Sequence, residues 1–150
     1  MINIDPPSSS FDLTGISKSG LARFLNQARK AVGLQGEVDV LLTSDAEIRR
    51  LNKAFRGKNK ATDVLSFPAP EEAEGMAGDI AISLETALRQ ANQHSHSLRD
   101  ELRVLMLHGL LHIDGEDHEA DAGEMAERES ELRTQLRLPS SLIERVERKR

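Results

Sequence analysis

The chain contains no cysteine among its 150 residues. Disulfides, thiolate zinc sites and a cysteine nucleophile are therefore excluded, and the absence agrees with a reducing compartment. No apolar run reaches the length of a membrane span. The first residues, MINIDPPSSSFDLTG, also lack the basic region and apolar stretch of a secretion signal. We therefore expect a cytoplasmic protein with no membrane partner.

Aromatic residues are almost as scarce as cysteine. The chain has no Trp, no Tyr and four Phe, so a surface that stacks several bases is not expected. The formal net charge of −5 argues against a general nucleic-acid binder, which is usually basic. Any contact with nucleic acid must therefore depend on a local basic patch.

The length of the chain predicts a single domain over residues 1–150. A chain of this size buries roughly 68–70% of the surface that its unfolded form exposes, which is enough for a hydrophobic core. The basic segment at the C-terminus, about residues 139–150, is interpreted as a solvated helix end or a frayed tail.

Four short segments have the composition or alternation of strands: INI, EVDVLLT, DVLSF and GDIAIS. Together with the helical segments they predict the order β-α-β-α-β-β-α-α-α. The mixture predicts an α+β fold, in which a small mixed four-stranded sheet packs with about five helices. The metal site proposed below is expected on a buried helix and the turn that follows it.

Capping signals predict where the helices begin and end. Ser17 and Ser97 can each accept hydrogen bonds from the first turn of a helix, and Gly33 can end the first helix. Ser44 and Glu47 have the spacing of a capping box, in which the glutamate reaches back to the N-cap. The last long helix is predicted from about residue 119 to residue 136.

The segment HGLLHIDGEDH, residues 108–118, holds three of the five histidines. His108 and His112 are four residues apart on a helix too apolar to be exposed, so they lie on one face. On a continued helix His118 would lie on a different face, so it can join the other two only if the helix stops near Gly115. Glycine readily takes the left-handed conformation that ends a helix. Three neutral imidazoles leave one coordination position open, as in a catalytic zinc site.

These three histidines are our predicted ligands for one divalent ion, with zinc expected first and nickel or copper also suited to imidazole. The simpler alternative is that they are ordinary polar residues that cap a buried helix. Three histidines at this spacing, with a glycine at the required turn, favour the metal site.

The same spacing occurs in the metzincin proteases, which carry a glutamate directly after the first histidine. Here that position is Gly109, so a metal-bound water would lack the usual protease base and a peptidase is not expected. The nearby carboxylates Asp114, Glu116 and Asp117 are interpreted as helix-end groups or as hydrogen-bond partners of an imidazole. Asp117, next to a predicted ligand, is our candidate among them for a catalytic residue.

A local basic patch lies in LNKAFRGKNKATDVLSFP, residues 51–68, and consists of Lys53, Arg56, Lys58 and Lys60. Arg56 precedes a glycine at a helix end, where a guanidinium can bind a phosphate through two parallel hydrogen bonds. Taken alone, the patch is equally explained by the preference of basic residues for the negative end of a helix. Lys58 and Lys60 could attract a nucleic-acid backbone.

Three stretches in this order, LNKAFRGKNKATDVLSFP, AGDIAIS and HGLLHIDGEDH, closely resemble the YbeY family of bacterial endoribonucleases. The resemblance extends over about residues 38–118. It implies a small α+β fold, a metal usually taken as zinc on His108, His112 and His118, and a functional arginine at Arg56, which we expect to be both catalytic and substrate-binding.

The same resemblance implies single-strand-specific endoribonuclease activity in ribosomal RNA maturation, especially at the 3′ end of the 16S RNA, and in ribosome quality control. The implied partners are single-stranded ribosomal RNA and the ribosome or small-subunit assembly proteins, and no DNA is expected. Glu116 departs from the family pattern, which usually has tyrosine there, and Ala61 stands where proline is common.

Two other functions stay open at this point. One is a ribosome-assembly factor whose metal is mainly structural, because no side chain is clearly placed as a general base. The other is a metal-dependent hydrolase of another substrate, which would barely respond to the loss of Arg56 if that substrate were uncharged.

Overall fold

The structure is a computed structural model, and it describes residues 1–115 and 123–139. Within these ranges the elements follow the predicted order: β1 (Ile2–Ile4), α1 (Lys18–Val32), β2 (Glu37–Thr43), α2 (Asp45–Arg56), β3 (Val64–Pro68), β4 (Met76–Ser83), α3 (Leu84–Gln93), α4 (Leu98–Ile113) and α5 (Glu124–Gln135). The predicted α+β class, with four strands and five helices, is confirmed. The prediction of one domain over residues 1–150 stays a prediction, and its tail beyond Pro139 lies outside the described residues.

The four strands form one mixed sheet in the order β1-β2-β4-β3. The pairs β1–β2 and β2–β4 are parallel, with Val40 opposite Ile2 on one side and Ile80 on the other. The β3–β4 pair is antiparallel and places β3 at an edge. The mixed character was predicted, whereas the pairing order was not.

The two faces of the sheet are covered by different helices. Since side chains alternate along a strand, Val40 and Ile80 point to one face and join the core with residues of α1 and α4. Leu65 and Ala81 point to the other face and pack against Ile48 of α2. Helices α2 and α4 therefore lie on opposite faces of the sheet, and both border the edge strand β3.

The predicted helix caps are present where their residues are described. The side chains of Ser17, Ser44 and Ser97 each accept a hydrogen bond from an N–H group in the first turn of the helix that follows, at 3.1 Å. Gly33 ends α1 with φ of +91° and Gly57 ends α2 with φ of +69°, the left-handed region in which only glycine is unstrained.

One part of the predicted capping box is wrong. The Glu47 carboxylate does not reach back to the N-cap but binds the guanidinium of Arg50, one turn further along α2. Arg50 offers a positive charge and two N–H donors, on Nε and Nη2, to the same Glu47 oxygen, so it competes well with the single N–H of the N-cap. The first free N–H of α2, on Asp45, instead donates to Oε1 of Glu85 at 2.9 Å.

Helices α2 and α3 are joined at their first turns by a network around Asp45. Its carboxylate accepts hydrogen bonds from the hydroxyls of Ser83 and Thr86 and from the Arg89 guanidinium. Partial burial opposes ionisation of Asp45, but these three hydrogen bonds outweigh it and lower its pKa below the usual value. We call this group of residues, with Glu85, the shared cap.

The predicted start of the last helix, near residue 119, is wrong. Gly123 has φ of +102° and is the N-cap, so α5 begins at Glu124. A left-handed glycine interrupts helical geometry, and periodicity alone did not reveal it. Residues 116–122 lie outside the described ranges. Within those ranges, no helix combines the length and the apolar character needed to cross a membrane.

Candidate metal centre and basic loop

Helix α4, which carries two of the three predicted ligands, His108 and His112, runs through the interior of the protein. The sheet, α1, α3 and α5 all contact it, and nearly all of its side chains from Leu102 to Leu111 are buried. This burial explains why the segment is apolar on almost every side. The helix ends at Ile113, and Gly115 has φ of +92°, so the predicted stop and left-handed turn are confirmed.

The imidazoles of His108 and His112 meet at the end of this helix. Their Nε2 atoms are 3.0 Å apart, and the rings pack edge to face with centroids 4.6 Å apart. Two nitrogens that bind one tetrahedral zinc at 2.0–2.1 Å lie about 3.3 Å apart, which is close to the observed spacing. A direct hydrogen bond between the rings would give a similar distance. The pair therefore fits a shared ion as well as a direct bond.

A buried carboxylate lies behind His108. Oε2 of Glu129, on α5, is 3.5 Å from Nδ1 of His108, and the Glu129 side chain is 1% exposed. No sequence motif includes Glu129. Its position on the apolar stripe of α5, between the buried residues Met125 and Leu132, is the feature of the sequence that indicates a buried glutamate.

His118, Asp117 and Glu116 lie outside the described residues, so their predicted roles stay predictions. Within residues 1–115 and 123–139, no group of three or more His, Asp or Glu side chains has the arrangement of a metal site. The structure thus brings together two of the three predicted ligands. Asp114 is the C-cap of α4 and accepts a 2.7 Å hydrogen bond from Arg128, in agreement with a helix-end role.

Gly109 has a packing reason to lack a side chain. A Cβ at this position would lie 2.9 Å from Cδ1 of Ile80 and 3.1 Å from Oγ of Ser66. The Gly109 carbonyl also accepts a 3.0 Å hydrogen bond from the Ser66 hydroxyl. Even a Cβ at position 109 would therefore require a shift of the Ile80 side chain or of the helix.

The predicted phosphate-binding residues lie at the end of α2, the helix that packs on the opposite face of the sheet from α4. Arg56 is the last residue of α2, and it is exposed together with Lys58 and Lys60 in the loop that follows. The Asn52 side chain anchors this loop by donating to the Lys60 carbonyl at 3.0 Å. In the described part of the chain no hydrogen bond or ion pair joins Arg56 to the imidazoles. The helices that carry the arginine and the histidine pair border the edge strand β3 from opposite faces of the sheet.

Comparison with known proteins identifies the family. The family model described as Endoribonuclease YbeY matches residues 9–137. The chain belongs to the YbeY endoribonuclease family. The predicted resemblance is therefore confirmed, over a longer part of the chain than the motifs alone indicated.

Two YbeY relatives show the extent of the similarity. Endoribonuclease YbeY of Koribacter versatilis is 58% identical over 134 residues, which cover 89% of this chain and 87% of that protein. Endoribonuclease YbeY of Solibacter usitatus is 47% identical and covers 88% of both chains. The solution structure of TM1509 from Thermotoga maritima is 30% identical, with a TM-score of 0.57, over 91% of this chain and 89% of that one.

Two further aspartates lie in or beside the strands β3 and β4. Asp63 accepts hydrogen bonds from the N–H of Val64 at 2.8 Å and from the Gln90 amide at 3.2 Å, as expected of a residue in a turn. Asp79 lies within β4, directly opposite Asp39 of β2. Partial burial and the nearby Asp39 carboxylate raise the pKa of Asp79 above its usual value.

The two histidines outside the motif lie between α3 and α4. His94 is the C-cap residue of α3, and His96 follows it in the turn. The His96 side chain is 11% exposed, and its Nε2 is 2.6 Å from Oε1 of Glu101, which is fully buried on α4. His96 therefore forms a buried pair that joins the α3–α4 turn to α4.

Proposed function

We propose that this chain is a metal-dependent, single-strand-specific endoribonuclease that matures ribosomal RNA, including the 3′ end of the 16S RNA, and takes part in ribosome quality control. The observation that carries the proposal is the convergence of two imidazole nitrogens, 3.0 Å apart, on a buried helix of a YbeY-family chain. Relatives that match most of this chain are named endoribonucleases. The proposed location is the cytoplasm.

The donor set fits one divalent ion. Neutral imidazole is a common ligand of zinc, nickel and copper, and His108 and His112 already present nitrogens to a common point. His118 would complete the set. When bound, the ion supplies Lewis acidity and a water whose pKa is lowered toward 7. Three histidine ligands would leave a position open for that chemistry, which supports a catalytic rather than a structural site.

The basic loop supplies the contact with the phosphodiester. Arg56 is exposed at the end of α2, where its guanidinium can donate two parallel hydrogen bonds to a phosphate and stabilise the negative charge that develops on its oxygens. Lys58 and Lys60 attract the RNA backbone without regard to sequence. Asp117 is proposed as an additional catalytic residue beside the third ligand.

Helices α2 and α4, which carry Arg56 and the imidazoles, pack on opposite faces of the sheet and both border β3, so a substrate that reaches both groups would pass beside this edge strand. A flexible single strand can follow such a path more easily than a stiff duplex. The net charge of −5 gives the chain little general attraction for RNA, which suits an enzyme that acts on ribosomal RNA together with the ribosome or small-subunit assembly proteins.

One observation favours a second function, a ribosome-assembly factor with a mainly structural metal. Gly109 stands where metzincins carry their general base, and it packs closely against Ile80. Within the described residues, the carboxylate that contacts the histidine pair is Glu129, on the Nδ1 side of His108. A weak or absent cleavage activity would fit this arrangement.

The deciding experiment compares cleavage of a single-stranded ribosomal RNA fragment by the wild type, His112→Ala and Arg56→Ala, all purified identically. Arg49→Ala and His94→Ala are matched controls, since Arg49 is also exposed on α2 and His94 lies outside the motif. Metal content and circular dichroism are measured on each sample. We expect Arg56→Ala to lose cleavage but keep its metal, and His112→Ala to lose both.

The other outcomes separate the alternatives. Equal cleavage by all samples would assign the activity to a contaminant and contradict the proposal. A wild type that holds metal but does not cut, alone or with ribosomal subunits, would favour the assembly factor. Cleavage that depends on His112 but not on Arg56 would remove the arginine from the mechanism and favour another type of substrate.

A further inference from the structure

Glu129 occupies a position that normally disfavours a charged group. Its residue exposure is 0%, and it is on the side of α5 that packs into the core. A buried carboxylate is strongly destabilising unless hydrogen bonds or opposite charges compensate. The contact with the His108 imidazole provides such compensation, so the buried position of Glu129 depends on that ring.

We propose that Glu129 is a positioning residue of the metal centre. It accepts a hydrogen bond from Nδ1–H of His108, so the proton is held on Nδ1 and the lone pair of Nε2 is directed toward the site shared with His112. The proposal rests on the proposed function, because it takes His108 and His112 as metal ligands.

The directions of the two His108 nitrogens support this assignment. Nδ1 faces the Glu129 carboxylate and Nε2 faces His112. An ionised carboxylate only accepts hydrogen bonds, so it selects the tautomer with the proton on Nδ1. The 3.5 Å separation is at the long limit for a hydrogen bond. Burial of both groups strengthens their attraction, since little water screens it.

The packing of α5 holds the carboxylate in place. Met125 and Leu132, one turn before and one turn after Glu129, are both buried in the core. These apolar anchors fix the height and rotation of α5 against α4. Metal-binding histidines commonly donate their second N–H to a carboxylate, and loss of that partner typically weakens metal affinity about 10–100-fold.

A second buried glutamate provides a matched control. Glu101 is also 0% exposed and pairs with a histidine, His96, at 2.6 Å. It lies on α4 two turns before His108, and its histidine partner is not a predicted ligand. Replacing either glutamate with glutamine exchanges one buried carboxyl group for an amide of the same size, but only one of the two changes touches the proposed metal centre.

The test measures zinc affinity of full-length protein prepared without metal, by competition with a chromophoric chelator. The samples are the wild type, Glu129→Gln, Glu129→Asp and Glu101→Gln, each checked for folding by circular dichroism. We expect Glu129→Gln to raise the zinc Kd by about 10–100-fold, Glu129→Asp to fall between it and the wild type, and Glu101→Gln to leave the Kd unchanged. The absorption of bound Co²⁺ should change in Glu129→Gln but not in Glu101→Gln.

Failure of this inference is distinguishable from failure of the proposed function. Tight zinc binding by the wild type with an unchanged Kd in Glu129→Gln would overturn the positioning role alone. Absence of zinc binding by the folded wild type would overturn the metal centre and the positioning role together. If Glu129→Gln does not fold, Glu129→Asp decides, because a raised Kd supports the role and an unchanged Kd overturns it.

Discussion

Replacing Gly109 with alanine tests how closely α4 approaches the sheet. The added Cβ would lie 2.9 Å from Cδ1 and 3.2 Å from Cγ1 of Ile80, and 3.1 Å from Oγ of Ser66. Ordinary contacts of a Cβ atom are 3.4–4 Å, so the Ile80 side chain or the helix must shift. Ile80 is 1% exposed and has little free space into which it can move.

Two opposing effects set the change in folding free energy caused by Gly109→Ala. Overpacking a core by one methyl group costs about 1–3 kcal/mol of folding free energy. Alanine in place of glycine within a helix contributes about 0.8–1.0 kcal/mol in the other direction. We therefore expect Gly109→Ala to destabilise the protein by about 1 kcal/mol, from the difference of these terms.

Gly20→Ala is the control for the helix term. Gly20 also lies in a helix, and the atoms nearest to an added Cβ belong to Ser17, at 3.3 Å, and Arg23, at 3.8 Å, both farther away than the 2.9 Å contact at Gly109. We expect this variant to be neutral or more stable by up to about 1 kcal/mol. The difference between the two variants then isolates the overpacking cost.

The assay is urea unfolding followed by far-ultraviolet circular dichroism, since the chain has no Trp or Tyr for fluorescence. Ile80→Val removes the nearest clashing atom and should cost about 0.5–1.5 kcal/mol in the wild type but less in the Gly109→Ala background. If Gly109→Ala is as stable as Gly20→Ala, or if the Ile80 change is fully additive, the packing argument is refuted.

Two aspartates give opposite pH dependences that can be measured by the same unfolding assay. Because the pKa of Asp45 is lowered, its stabilisation is present above the unfolded value near 3.8 and is lost as pH falls through the lower folded value. Asp45→Asn should therefore destabilise at neutral pH by about 1–2 kcal/mol and approach the wild type in acid, and a pH-independent difference would contradict this. The pKa of Asp79 is raised in the folded state above its unfolded value near 3.8. Its ionisation therefore destabilises the folded state as pH rises above 3.8 and has no effect at lower pH. Asp79→Asn should be more stable than the wild type at neutral pH and lose this advantage in acid, and equal stability at neutral pH would contradict the raised pKa that burial and Asp39 produce.

Most element boundaries could be predicted because their signals are local. The hydroxyls of Ser17 and Ser97 bind N–H groups three residues away, and Gly33 acts through its own backbone conformation. The histidine pair is local in the same sense, since residues four apart share a helix face. The pairing order of the strands depends on contacts across the whole chain, so no short segment contains it.

The errors and omissions have different physical origins. Glu47 had two possible partners within four residues, and the charged Arg50 was preferred to the backbone. Glu129 and Glu101 are polar residues inside apolar stripes, and their histidine partners are identified only when the helices and turns have packed. The roles of His118 and Asp117 remain predictions from the motif.

The shared cap has a consequence for how this part of the molecule opens. Strands β2 and β4 are in register at Thr43 and Ser83, and a helix follows each almost at once. Asp45 of α2 binds the first turn of α3, while Glu85 of α3 binds the first N–H of α2, across 40 residues of sequence. Neither helix can fray at its start without releasing a hydrogen-bond partner of the other. In native-state hydrogen exchange, the amides of both first turns should therefore open as one cooperative unit, with a common free energy and a common urea dependence.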